Sequence, residues 1–130
     1  MNPDLRYLSY PAVLTATLWI PYIVSQIQAN GPLQAQNYQD PTPRAVPPWG
    51  KRADRTYLNA IEVFAPFAAL VLVAQLSGKA NAETAFFAAC FFWLRLTHAI
   101  VYLLGIPFIR TLVFTLGYVA LIGIFWQIVR

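Results

Sequence analysis

Charged side chains are scarce in this chain: Asp, Glu, Lys and Arg make up 11% of its 130 residues, against about 25% in ordinary soluble domains. With 58% hydrophobic residues as well, it cannot cover a soluble globule of this size with polar surface. A single cysteine, Cys90, excludes an internal disulfide, and one histidine without a zinc-ligand spacing argues against a metal site. These shortages indicate an integral membrane protein that holds no metal.

The formal net charge of +4 does not indicate nucleic-acid binding, because no basic run alternates with exposed aromatic side chains. We interpret it as a topology signal in a protein surrounded by membrane lipid. The first apolar stretch has no basic segment before it and no small-residue cleavage site after it. We therefore expect it to be a retained transmembrane helix rather than a signal peptide.

Four apolar segments are long enough to cross a bilayer, at about 5–28, 53–76, 82–104 and 107–129. Asn81 is a favourable N-cap for the third segment, and Gly105 and Pro107 separate it from the fourth. The sequence therefore predicts the all-α class, as an integral membrane four-helix bundle that forms a single domain over residues 1–130.

Only the first connection is long, a polar and proline-rich loop at 31–51, and we expect Arg52 and Asp54 to be solvated residues that follow it. The other two turns are short, so the second, third and fourth helices should be antiparallel neighbours.

Five basic residues lie on the side of the long loop: Arg44, Lys51, Arg52, Arg55 and Arg110. The opposite side has three, Arg6, Lys79 and Arg130, which predicts that the loop side faces the cytoplasm.

Seven polar residues lie in or beside the apolar segments: Arg55, Asn59 and Glu62; Arg95, His98 and Tyr102; and Arg110. The spacing of each triplet places it on one face of a helix. Because the second and third helices run in opposite directions, Glu62 and His98 should lie at similar depth, about two turns from one membrane side. Charges inside a bilayer persist mainly where they pair or serve a site, so the sequence predicts a polar pocket.

Two explanations of this pocket remain open. Arg95 and Glu62 can form a buried ion pair that fixes helix register, with Asn59 bonding between helices. However, one pair needs one cation, and three arginines approach the same region. That excess favours an anionic ligand, with Glu62 holding an ammonium group. His98 is expected to be a hydrogen-bonding partner rather than a metal ligand.

At these residues the chain resembles the MAPEG family, the membrane-associated proteins of eicosanoid and glutathione metabolism. The matching segments are R-T-Y-L-N-A-I-E at 55–62, P-F at 66–67, R-L-T-H-A-I-V-Y at 95–102 and the arginine at 110. The four-span layout with a long first loop is also similar, over essentially the whole chain.

The resemblance implies a homotrimer that binds glutathione, as cosubstrate, between subunits near the cytoplasmic side. The residues implied to hold it are Arg55, Asn59, Glu62, Arg95, His98 and Tyr102. The catalytic residue is then Arg110, because a cation beside a thiol favours the nucleophilic thiolate. The implied activity is that of a transferase or peroxidase for lipophilic electrophiles, in the inner (plasma) membrane of a bacterium.

The chain also differs from the eicosanoid enzymes of that family. Leu58 stands where the prostaglandin synthase branch has a basic residue, Phe114 stands where it has a tyrosine, and the helix end near Gln26 lacks a basic residue. These differences favour a second hypothesis, a non-catalytic scaffold, lipid-binding module or accessory subunit. A third, a small transporter or channel, lacks support from any inverted repeat or charge ladder.

Overall fold

The computed structural model describes residues 2–31 and 45–130, and these form five α-helices. Their bounds are α1 Pro3–Thr17, α2 Trp19–Asn30, α3 Pro48–Leu76, α4 Ala82–Leu104 and α5 Pro107–Val129. With α1 and α2 taken as one span, the described residues contain four spans long and apolar enough to cross a membrane. The predicted all-α, four-span architecture is confirmed.

The sequence predicts one continuous helix over residues 5–28, but the first span consists of two helices. Pro21 has no amide hydrogen to donate to the carbonyl of Thr17, and its ring crowds that carbonyl. α1 therefore ends at Thr17, and the Leu18 N–H donates back to Leu14 O at 3.1 Å. Leu18 is also the residue from which α2 begins, so the span consists of two helices of 15 and 12 residues.

The third helix, α3, begins at Pro48 rather than near residue 53, so the loop predicted for 31–51 is wrong over its last four residues. Proline suits a first helical turn, where its missing N–H has no intrahelical partner to lose. Residues 32–44 of that loop, including Arg44, lie outside the described residues. Arg52 and Asp54 were expected to precede this helix, but they lie within it and are half-buried.

Both ends of α4 carry the predicted signals. The Asn81 side chain accepts a hydrogen bond from the Thr84 N–H at 2.9 Å, and the Thr84 hydroxyl accepts one from the Asn81 N–H, also at 2.9 Å. At the other end Gly105 has a φ of +78°, a left-handed conformation that glycine adopts without strain. Pro107 then begins α5, so α4 and α5 are antiparallel neighbours joined by two residues.

The core lies where α3, α4 and α5 meet. Its buried side chains are Phe67, Val71, Ala88, Phe91, Ala120, Leu121 and Ile124. The rings of Phe67 and Phe91 stack with their centroids 3.9 Å apart and an interplanar angle of 11°. Lipid is as apolar as these side chains, so association of the helices depends on close packing of this kind.

A network of hydrogen bonds closes the end of the bundle opposite the predicted pocket. The Thr84 hydroxyl donates to the carboxylate of Asp4 at 2.6 Å, which joins α4 to α1. The Asn81 amide donates to Gln127 at 2.9 Å, and the Gln127 amide donates to Glu83, which joins α4 to α5. Asp4 is only 4% exposed, and this partner offsets the cost of its burial.

Gly50 allows α3 to approach α2, and we predict that Gly50→Ala destabilises the fold. A Cβ at Gly50 would lie 2.5 Å from Oγ and 2.7 Å from Cβ of the fully buried Ser25. Such overpacking lowers the free energy of unfolding by about 1–3 kcal/mol, measurable as a lower Tm in detergent. The matched control is Gly117→Ala, because a Cβ there has no atom within 4 Å. Equal melting temperatures for the two variants would contradict the prediction.

Candidate functional site

Arg95 is the most deeply buried cation of the predicted site. Its side chain is 6% exposed, and its Nη2 donates a hydrogen bond to Oδ1 of Asn59 at 2.6 Å, from α4 to α3. A hydrogen bond from a charged donor is short and strong, and a buried charge without one is costly. In the described part of the chain Arg95 pairs with this amide and not with Glu62. Helix register is therefore fixed by a hydrogen bond, and the Glu62 carboxylate is left for another partner.

The polar pocket is a cavity of about 150 Å³ between α3 and α4, lined by Arg55, Leu58, Asn59, Glu62 and Tyr102. Arg55 and Glu62 are exposed, and Asn59 and Tyr102 are half-buried. Within residues 2–31 and 45–130, neither Arg55 nor Glu62 forms an ion pair. The pocket therefore presents one cation and one anion to a ligand.

Arg110 and His98 adjoin this pocket through Tyr102. The Cζ atom of Arg110 lies 4.9 Å from the centroid of the Tyr102 ring, a cation–π contact. The His98 ring lies 5.6 Å from that of Tyr102 and 6.0 Å from that of Phe114. His98 is 2% exposed, and its Nδ1 has no hydrogen-bond partner among the described residues. Tyr102 is thus the side chain that connects Arg110 and His98 to the pocket.

The apolar groove is a cavity of about 370 Å³ between α3 and α5. Its walls include Val63, Pro66 and Leu70 on α3 and Phe114, Gly117, Tyr118 and Phe125 on α5. From Glu62 to Leu70 the groove follows α3 for about 12 Å, at 1.5 Å per residue. Arg95 and Glu62 are the charged residues of its lining.

Glu62 is common to both cavities, because it lines the polar pocket and the apolar groove. The pocket presents charged and hydrogen-bonding groups, whereas the groove presents apolar side chains along the membrane-spanning part of the bundle. Glu62 is therefore the residue at which the polar pocket and the apolar groove adjoin.

The structure brings most of the predicted site residues together. Four line the polar pocket: Arg55, Asn59, Glu62 and Tyr102. Arg95 donates a hydrogen bond to Asn59 and does not line the polar pocket itself. His98 and Arg110 contact the Tyr102 ring and also lie outside the pocket lining. Arg52 was predicted to be solvated, but its Nε donates to the Leu103 carbonyl in the last turn of α4. Its position three residues before Arg55, on the same helical face, was an available signal.

Fold and site together define an integral membrane bundle with a polar pocket beside an apolar groove. The MAPEG family profile matches residues 8–130, nearly the whole chain, and the chain belongs to this family. No curated protein sequence matches it. The resemblance noted from the polar segments is confirmed, and membership supports a glutathione-related role in a membrane.

The Arg95–Asn59 hydrogen bond gives a stability prediction. Asn59→Ala leaves the buried guanidinium without its partner, so we expect the free energy of unfolding to fall by about 3 kcal/mol. In Asn59→Ala/Arg95→Met the buried charge is absent, and the loss should be smaller than in Asn59→Ala alone. Reversible unfolding in detergent, arranged as a double-mutant cycle, measures the coupling. Strictly additive losses would show that the bond does not stabilise the bundle.

Proposed function

We propose that this chain is a membrane-bound glutathione-dependent transferase or peroxidase acting on lipophilic electrophiles. The observation that carries the proposal is the position of Glu62, in the lining of both the polar pocket and the apolar groove. Glutathione bound in the pocket would place its thiol beside a groove that an acceptor can enter from the bilayer.

The groups of the polar pocket match those of glutathione, which carries two carboxylates and one ammonium group. The exposed guanidinium of Arg55 suits a carboxylate, and the Glu62 carboxylate suits the ammonium group. Asn59 would act as a donor, because its Oδ1 already accepts from Arg95 and its amide N–H groups are left for the ligand. Arg95 would thus contribute by orienting Asn59, while Tyr102 offers a hydroxyl group.

In the proposed reaction Arg110 stabilises the glutathione thiolate, since a nearby cation favours the ionised thiol. The thiol proton passes to water, and the thiolate sulfur attacks an electrophilic carbon of the acceptor. With a chlorinated dinitroaromatic acceptor, a carbon–sulfur bond forms, the carbon–chlorine bond breaks, and chloride leaves. The acceptor occupies the apolar groove during this step.

We further propose that the working unit is a homotrimer in which a second copy completes the pocket. The polar pocket of one chain encloses about 150 Å³, whereas small-molecule sites usually enclose about 300–1,000 Å³. Arg55 and Glu62 are exposed on the single chain, so a neighbouring subunit has access to the same ligand. Both observations support a site between subunits.

The proposed location is the inner membrane of a bacterium, with the site facing the cytoplasm. Four basic residues lie at the site end of the described helices: Lys51, Arg52, Arg55 and Arg110. Two lie at the opposite end near α1 and the α3–α4 turn, Arg6 and Lys79, and Arg130 ends the chain there. An excess of basic residues near helix ends marks the cytoplasmic side.

Leu58 supports a second candidate function, a non-catalytic scaffold or accessory subunit. Its side chain lines the polar pocket, where a basic residue would have added another contact to an anionic ligand. Titration calorimetry separates the two functions: a scaffold shows no heat of glutathione binding, whereas the proposed enzyme binds it with millimolar affinity or tighter.

We predict that Arg110→Ala removes most of the conjugating activity and leaves glutathione binding largely intact. Loss of one preorganised charge-stabilising group costs about 100-fold or more in kcat. The measurement is conjugation of a chlorinated dinitroaromatic by the protein in detergent. Lys79→Ala is the matched control, because it removes a cation from the opposite end of the bundle. Equal rates in wild type and Arg110→Ala would rule out the mechanism.

We predict that Gly117→Leu fills the apolar groove and selects against large acceptors. Gly117 lines the groove, and a Cβ there meets no atom within 4 Å, so the new side chain occupies the cavity. The rate with a long-chain acceptor should fall by about 10-fold or more relative to the small chlorinated dinitroaromatic. Val119→Leu, on the exposed face of α5, is the control. An unchanged preference between the two acceptors would place the acceptor outside the groove.

A further inference from the structure

Arg52 adds a side-chain hydrogen bond to the glycine cap at the C-terminus of α4. The last carbonyls of a helix have no intrahelical donor. Here the Ile106 N–H bonds to Val101 O at 3.2 Å, and the Gly105 N–H bonds to Tyr102 O at 3.0 Å. The next carbonyl, that of Leu103, accepts from Nε of Arg52 on α3 at 3.1 Å. α4 has no basic residue in its own last turn, so Arg52 also supplies the cation that the helix dipole favours.

Gly105 leaves room for this guanidinium group. A Cβ at Gly105 would lie 3.3 Å from Nε of Arg52, slightly closer than an ordinary van der Waals contact, and 3.4 Å from its Cζ. The backbone of Gly105 also has a φ of +78°. Glycine therefore serves two purposes here: it adopts the left-handed turn, and it lets Arg52 pack directly against that turn.

The turn held by Arg52 connects two residues of the proposed site. Tyr102 immediately precedes Leu103, and Arg110 lies in the first turn of α5, after Gly105 and Ile106. These two side chains are in contact, with Arg110 Cζ 4.9 Å from the ring of Tyr102. Arg52 itself lies one turn before Arg55 on α3. One hydrogen bond thus links the α3 part of the site to the part on α4 and α5.

We propose that Arg52 is a positioning residue for the glutathione-dependent reaction: by capping α4 it holds Tyr102 and Arg110 in place relative to the ligand-binding side chains of α3. The inference rests on the proposed function. The Nε of Arg52 is committed to the Leu103 carbonyl, so Arg52 would act on the thiolate through the position of Arg110 rather than by touching glutathione. Its loss should therefore affect kcat more than glutathione affinity.

The test compares Arg52→Met, which keeps most of the apolar stem, with Arg52→Lys, which keeps a cation. Lys51→Met is the control, because it removes the charge of an exposed neighbour. We expect kcat for the chlorinated dinitroaromatic to fall about 10- to 100-fold in Arg52→Met, since a displacement of about 1 Å at a reacting group has that effect. KM for glutathione should change little, and Arg52→Lys should recover part of kcat.

Hydrogen exchange provides a second readout that does not depend on activity. Amides of residues 101–111 should exchange faster in Arg52→Met than in wild type, and Lys51→Met should match wild type. Unchanged exchange in this segment, an unchanged kcat, or a loss expressed in KM alone would each overturn the proposal. If wild type itself shows no conjugation, the proposed function fails, while the exchange comparison still decides whether Arg52 holds the turn. If Arg52→Met does not fold, Arg52→Lys decides by the same two measurements.

Discussion

A guanidinium group inside a membrane has to be hydrogen-bonded, and the site is arranged around the way in which Arg95 meets that requirement. Its bond to Asn59 fixes which residues of α3 face α4. The stacked rings of Phe67 and Phe91 continue the same register further from the site. With Asn59 committed to Arg95, Arg55 and Glu62 are the exposed charged groups in the lining of the polar pocket.

Features set by neighbouring residues were visible in the sequence. The Asn81 cap and the Gly105 turn depend on short-range hydrogen bonds, so the bounds of α4 followed from local chemistry. The start of α3 was missed because consecutive prolines at 47–48 suggest a loop, although the second of them is a favourable first helical residue. Pro21 indicates a distortion in the first span, but the sequence does not predict that the helix ends at Thr17, because a proline can either kink or end a helix and its surroundings decide which.

Some parts of the candidate site could likewise be predicted from the sequence, and others could not. Polar side chains are conspicuous in apolar segments, so the components of the polar pocket could be found by spacing alone. The apolar groove could not, because Phe114 and Tyr118 in the groove and Val119 outside it have the same apolar character in a sequence. The contact of Arg52 was not predicted for another reason: its spacing from Arg55 indicates the helical face, but its partner is the backbone carbonyl of Leu103, which no residue type marks in a sequence.

The network at the opposite end of the bundle has a consequence for how the helices come together. Asp4 and Thr84, which are hydrogen-bonded, are 80 residues apart, and Asn81 and Gln127 are 46 apart. A chain synthesised from its N-terminus holds the Asp4 carboxylate without this partner until α4 arrives, and α4 holds Asn81 without its partner until α5 follows. The third and fourth spans thus each bring the hydrogen-bonding partner of a polar group made earlier at the same end of the bundle.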